Sequence, residues 1–388
     1  MDTITSKITN TYAMAQEYHK KMEMFDIIIV IIVGFILLVL LSYTLNKLTL
    51  KNRNCKNIKK VYKNSTSIIS IDKDDKVFSH NLRDYYIKTA YSCCCTGNYK
   101  NDYVDLCALE NCIKQGVRCL DFEIYSYNNK PVVAASSVKS NHIKETYNYI
   151  PFGKAMNMVA DLAFSNSSSP NAKDPLLLHF RIMSNNSKIY DIIANTLNES
   201  LGDRLLDNNH SYENNGKNLG ATPLVDLLGK VIIIVDKSNK LFENTKLDEF
   251  VNIASNAMFM RMLRYKEVKF THDMNELIEY NKKNMTIVLP NIDADDTNSD
   301  PTVIKNYGCQ MNALAFQNFD KNMEFYSLYF DKKGSAFVLK PDHLRYVAKP
   351  PITTLPANKE WSACPRSLGA VIDQNHPGLG QYMSHLSI

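Results

Sequence analysis

The stretch NYGCQMNALAFQNFDKNMEFYSLYFDKKGSAFVLKPDHLR, residues 306–345, sets the pattern for most of this chain. Short apolar runs at 313–316 and 336–339 have the length and the polar boundaries of strands. Upstream the same alternation recurs. Candidate strands lie at 85–88, 119–124, 131–134, 176–180, 231–235 and 286–289. Candidate helices lie at 103–115, 152–163, 187–198 and 273–281. Strands alternating with helices predict an α/β barrel or a doubly wound sheet. Residues 207–220, rich in Asn and Gly, read as a loop, and residues 347–388, with Pro, Gly and Ser but no periodicity, as a loosely ordered tail.

The chain has 388 residues, room for one large domain or two small ones, and its net charge of +5 is too modest to argue for a nucleic-acid partner. The nine cysteines form no pair of Cys-x-x-Cys motifs at zinc-like spacing. In Cys93–Cys95 adjacent side chains would point to opposite faces of a strand, which opposes metal binding. Free thiols in a reducing compartment are the expectation.

Residues 27–41, IIIVIIVGFILLVLL, are apolar throughout, and the run reaches Leu45 with Ser42, Tyr43 and Thr44 interrupting. At ~1.5 Å per residue it matches the ~30 Å hydrocarbon core of a bilayer. A long segment of mixed charge precedes it and no small-residue cleavage site follows, so it reads as an anchor rather than a signal peptide. Lysines and arginines crowd its C-terminal side, with no acid before Asp72. By the positive-inside rule the remainder faces the cytosol. The expected organisation is an N-terminal segment (1–25), a transmembrane helix (26–45) and a basic linker (46–78) that attracts anionic lipid.

Two blocks carry a family resemblance. GVRCLDFEIYSYNNKPVV, residues 116–133, resembles the strand and hairpin after the first helix of eukaryotic-type phosphoinositide-specific phospholipase C. The opening stretch, with its Gly-Cys-Gln-Met and Val-Leu-Lys-Pro spacing, resembles the end of that family's second catalytic half, and LLGKVIII, residues 227–234, the end of the first. The resemblance implies a distorted TIM (β/α)8 barrel of the phospholipase C-like phosphodiesterase type. Its X half would be residues 79–237, and a linker with the Y half residues 238–346.

The resemblance also implies a reaction. The inositol 2-hydroxyl attacks its own phosphodiester, calcium lowers that hydroxyl's pKa, and two histidines stabilise and protonate. In YYIKTAYSCCCTG, residues 85–97, the first histidine position is Tyr91 and the calcium-binding Asn position is Ser92. The second histidine position is Ala135. The remaining calcium-ligand positions are Asp121, Glu123 and Arg181, where a guanidinium replaces a carboxylate and is placed to pair with either acid. Two headgroup lysine positions hold Ile234 and Asp236, and the expected Arg and Tyr are missing from 286–289.

Three other histidines are candidates to replace the missing pair. His80, in the SHN triplet at 79–81, precedes its strand and falls at the wrong end of a barrel. His179 shares strand parity with Arg181 and lies one layer deeper, as a core histidine, and His142 belongs to a surface loop. Asp121 and Glu123 would pair with Arg181 or Arg118. The resulting expectation is a catalytically silent, membrane-anchored phospholipase C-like scaffold or binding module. It binds no calcium or other cofactor, contacts membrane lipids through the anchor and linker, and has an unidentified protein partner. The alternative is an active calcium-dependent phosphodiesterase.

Overall fold

In this computed structural model the described residues are 2–63, 66–138, 143–212, 217–292 and 297–347. The strands are β1 (Tyr85–Ala90), β2 (Cys119–Tyr127), β3 (Lys130–Val133), β4 (Ile150–Pro151), β5 (Leu176–Ile182), β6 (Val231–Asp236), β7 (Ile253–Ser255), β8 (Met260–Arg264), β9 (Met285–Leu289), β10 (Met311–Leu314) and β11 (Phe337–Leu339). The helices are α1 (Asp2–Val61), α2 (Leu106–Lys114), α3 (Phe152–Ala163), α4 (Lys188–Leu201), α5 (Tyr265–Lys269), α6 (Met274–Lys283), α7 (Pro301–Asn306) and α8 (Lys321–Lys333).

Parallel strands run in the order β7-β6-β5-β2-β1-β10-β9-β8, and the two end strands lie side by side, so the sheet curls into a nearly closed barrel. Strands buried on both faces are apolar along their length, which is why LLLHFRI and VIIIVD are buried throughout. The β2–β3 hairpin turns at Asn128 and Asn129, with φ of 49° and 59°, the pair of positive values that a tight two-residue hairpin requires. Helices α2, α3 and α4 pack one apolar face each on the outside of the strands.

The opening stretch works at the foot of the barrel, where the strands begin. Gly308 turns the chain at φ 70°, a value that favours glycine. The Gln310 amide nitrogen then lies 2.8–2.9 Å from the carbonyl oxygens of Arg83, Asn281 and Asn284, and its oxygen accepts from Thr286 N at 2.8 Å. Lys340 Nζ donates to Asn281 O at 3.0 Å, and burial pulls its pKa down to about 7. These residues satisfy buried backbone groups far from the end of a barrel where chemistry occurs.

Several expectations need correction. The strand expected at 313–316 occupies Met311–Leu314, and β7 and β8 were not foreseen. Residues 46–61, expected as linker, continue α1 without a break and contact the barrel. No Gly or Pro interrupts them, and Lys47, Lys51, Asn54, Cys55, Ile58 and Tyr62 recur at helical spacing on the side that is covered. Ile58 is buried, and Tyr62 donates its hydroxyl to Phe316 O at 2.9 Å. The expected tail from residue 348 onward lies outside the described residues. No residue in the apolar part of α1 is buried, its mean hydropathy is 3.2, and it is long enough to cross a membrane.

The cysteine expectation is also overturned. Cys55 on α1 and Cys107 on α2 form a disulfide, with Cα atoms 5.9 Å apart. Among the described residues the free thiols, Cys93, Cys94, Cys95, Cys112, Cys119 and Cys309, are all buried, and Cys364 lies outside them. Cys93–Cys95 fall in the turn after β1, not on a strand. The support that free thiols lent to a cytosolic placement is thereby removed. Digestion of the full-length protein without reductant is expected to return the Cys55 and Cys107 peptides joined, and a reductant to separate them. Recovery of both as free thiols would contradict the pairing.

Candidate functional site

Strands β2 and β5 pair in register, Asp121 opposite His179 and Glu123 opposite Arg181. Side chains two apart share a face, so these four project into the barrel together. The end of β1 supplies Tyr91 and Ser92 beside them. Ser92 sits at φ 40°, an unusual backbone for a residue with a side chain. Its N–H donates to Asp121 Oδ2 at 3.0 Å, and its hydroxyl accepts from Arg181 Nη2 at 3.0 Å.

Arg181 is the hub. Its Nε donates to Asp121 Oδ1 at 3.0 Å and its Nη2 to Asp121 Oδ2 at 2.9 Å, the two-pronged geometry that matches a guanidinium to a carboxylate. Nη1 lies 3.3 Å from Glu123 Oε2, and the guanidinium stands 4.8 Å over the ring of Tyr91. Burial alone would push the Asp121 carboxyl up, but Arg181 and His179 outweigh it and hold it well below the usual carboxylate range. Burial dominates at Glu123 and raises it despite Arg181. Burial also lifts the Tyr91 phenol, and the two acids keep Arg181 charged against its own desolvation.

Below this layer His179 Nδ1 lies 2.7 Å from Asp121 Oδ1, and its Nε2 lies 3.0 Å from Ser255 Oγ. The chain Ser255–His179–Asp121 has the order of a nucleophilic triad. All three residues are 0% exposed, so no substrate reaches them. It is a core hydrogen-bond chain.

Above Arg181 a cavity of about 220 Å³ opens at the C-terminal ends of the strands. Tyr91, Glu123, Ser137, Asp236 and Arg264 are among its walls. Arg264 ends β8 and donates from Nη1 to Pro290 O at 2.9 Å. Sequence reasoning missed it because β8 itself went unseen. The alternation in MRMLR was the available signal.

The other residues singled out from the sequence fall as follows. Ala135 is fully buried beside the cavity's Ser136 and Ser137. Ile234 is buried in the ladder between His179 and Ile253. Asp236 accepts from Ser238 N at 2.9 Å and Asn256 Nδ2 at 2.8 Å. His80 is at the foot of the barrel, 3.1 Å from Arg345 Nη1, and His142 lies outside the described residues. Arg118 does not pair with Asp121 or Glu123. It stands at odd offsets from both and instead donates to Ala163 O and Ser169 Oγ, at 3.0 and 2.7 Å.

Calcium requires six to eight oxygens at about 2.3–2.6 Å. Here three of the four carboxylate oxygens are hydrogen-bonded, those of Asp121 by Arg181, His179 and Ser92 N and Glu123 Oε1 by Tyr125 Oη, while Glu123 Oε2 has no hydrogen bond and lies 3.3 Å from the charged Arg181 Nη1. A cation fills the space between the acids, so these residues do not fit a calcium ion.

Residues 78–237 match the family described as phosphatidylinositol-specific phospholipase C, X domain, and residues 236–343 match its Y domain. The 1-phosphatidylinositol 4,5-bisphosphate phosphodiesterase of Drosophila melanogaster is 37% identical over 76 residues, 19% of this chain and 7% of that protein. The fold is similar to solved PLC21 structures. That from L. pealei has a TM-score of 0.57 at 20% identity, covering 69% of this chain and 38% of that one. That from S. officinalis has a TM-score of 0.58 at 20% identity, covering 73% and 39%. The chain thus spans well under half the length of these relatives.

Proposed function

The chain belongs to the phosphatidylinositol-specific phospholipase C family, and from that premise we propose that it is a membrane-anchored member whose barrel serves as a scaffold or binding module rather than as a phosphodiesterase. The observation that carries this reading is Arg181, held by Asp121, Glu123 and Ser92 in the middle of the site. A guanidinium that stays protonated in proteins excludes a second cation from the same carboxylates.

The remaining positions support it. Tyr91 stands where the resemblance gives a histidine, and a buried phenol, with an ordinary pKa of about 10 raised further, does not shuttle protons near neutrality. Ala135 at the second such position has no proton to give. Ile234 and Asp236, at headgroup lysine positions, offer a phosphate no positive charge. Residues 79–237 and 238–346 are the two barrel halves, and α1 crosses the bilayer through its apolar stretch. The basic flank after that stretch favours the side with anionic lipid, and hence the cytosolic side, while the Cys55–Cys107 disulfide, a bond rare in that compartment, counts against it.

The test is turnover by the full-length protein in nanodiscs containing phosphatidylinositol 4,5-bisphosphate, with and without calcium. Soluble inositol phosphate is expected to stay at the level of a heat-killed control. Calcium-dependent release above that control would establish the protein as an active phosphodiesterase and overturn the reading.

A further inference from the structure

The docked half of α1 decides which end of the barrel meets the membrane. This inference rests on α1 being a membrane span, as proposed above. Contacts between α1 and α2 advance in the same direction along both helices. Lys51 Nζ lies 3.2 Å from Asp105 Oδ2 at the cap of α2, Cys55 is bonded to Cys107, and Lys59 Nζ lies 4.0 Å from Glu110 Oε2. The two helices are therefore parallel.

The direction of α2 is set by the barrel. It begins at the strands' C-terminal rim, where Asp105 N donates to Cys94 O, and ends just before β2 starts at the foot. Hence α1 descends from rim to foot, and everything before its first contact projects beyond the rim. Those first contacts are all with rim loops. Tyr103 Oη donates to Lys47 O at 3.3 Å, Lys47 Nζ stands 4.9 Å over the ring of Tyr147, and Asn54 Nδ2 donates to Asp102 Oδ1 at 3.0 Å.

The spacing leaves no slack. Lys47 follows Leu45, the end of the apolar run, by two residues. At ~1.5 Å per helical residue, the rim begins a few ångströms from the hydrocarbon edge. The disulfide and the buried Ile58 prevent the helix from swinging away.

We propose that α1 is a rigid stand that holds the barrel with its rim, and the cavity of Arg181 and Arg264, pressed against the lipid headgroups. The chemistry of the rim suits that surface. Ile143 is 66% exposed, Tyr127 and Tyr149 pack ring to ring at 4.8 Å, and Tyr147 stands beside Lys47. Tyrosines and lysines of this kind favour the headgroup layer. The cavity consequently opens toward the bilayer, and the foot and the outer helices remain as the faces open to a soluble partner.

The experiment uses the full-length protein in nanodiscs of phosphatidylcholine and phosphatidylserine. In a Cys364→Ser background, an environment-sensitive fluorophore is attached to Ile143→Cys at the rim or to Val77→Cys at the foot, both exposed, while the six free thiols among the described residues are buried. Lipid-borne nitroxide is expected to quench the rim probe several-fold more than the foot probe. In a Cys55→Ser, Cys107→Ser, Ile58→Asp variant, which loosens the stand without freeing a thiol, the difference is expected to shrink. Equal quenching at both sites, in protein that resists extraction by alkaline carbonate, would overturn the orientation and leave the span intact. Release by carbonate would overturn the span, and the inference with it.

Discussion

Replacing Arg181 by methionine is expected to destabilise the barrel by about 3–5 kcal/mol, the cost of removing one partner from a buried ionic cluster. Arg181, Asp121 and Glu123 are buried with side-chain exposures of 5%, 0% and 2%. Methionine fills most of the volume but leaves two carboxylates facing an apolar wall. Asp121 keeps His179, and Glu123 keeps the Tyr125 hydroxyl at 2.7 Å, so the loss is not total. For a domain of this size each kcal/mol corresponds to ~2–4 °C, and a drop in Tm of about 10 °C is expected. Adding Asp121→Asn and Glu123→Gln should recover most of that drop, since a buried ion cluster replaced as a whole costs little. A single variant that melts like the parent would show that the guanidinium does not hold the two acids.

The converse substitution, Arg181→Glu, is expected to convert the cluster into a calcium site. Three carboxylates and the Ser92 hydroxyl would then converge, the kind of oxygen set that calcium takes. Without the ion their mutual repulsion should lower Tm by at least as much as the methionine variant does. With calcium at about 100 times its Kd, the ion should return about 2.7 kcal/mol. The parent protein is expected to show no calcium dependence in the same melts, and no calcium heat in calorimetry at sub-millimolar concentrations. Calcium stabilisation of the parent would contradict the account of Arg181, a result that stands even if the variant proves too unstable to purify.

These two results bear on one residue because the site hangs on it. The place of Arg181 on a strand was legible in the sequence, because the β5 run DPLLLHFRI is long, apolar and easily placed. What the sequence left open was its partner. Arg181 and Arg118 were both within reach of Asp121 and Glu123 by strand position, and only the register of β2 on β5, with the turn at Ser92, selected Asp121 for two-pronged contact with Arg181 and sent Arg118 elsewhere. Arg264 escaped notice for a related reason. A five-residue strand with intermediate burial carries too little periodic signal to stand out, and its place in the cavity depends on β9 beside it.

The amino-acid sequence by itself determined the alternating strands and helices, the apolar run that ends at Leu45 and the identities of Tyr91, Ala135 and Arg181. All of these are local: they depend on side-chain period, run length or identity at one position. Tertiary structure alone decided that residues 46–61 are a docked helix, that Cys55 joins Cys107, and that the rim lies beside the end of the apolar run. A lysine-rich helix with one buried isoleucine has no pattern that distinguishes it from a linker. Its structure follows from contacts with a helix 52 residues away, and such pairing is set by the geometry of the folded barrel, not by any signal within the segment.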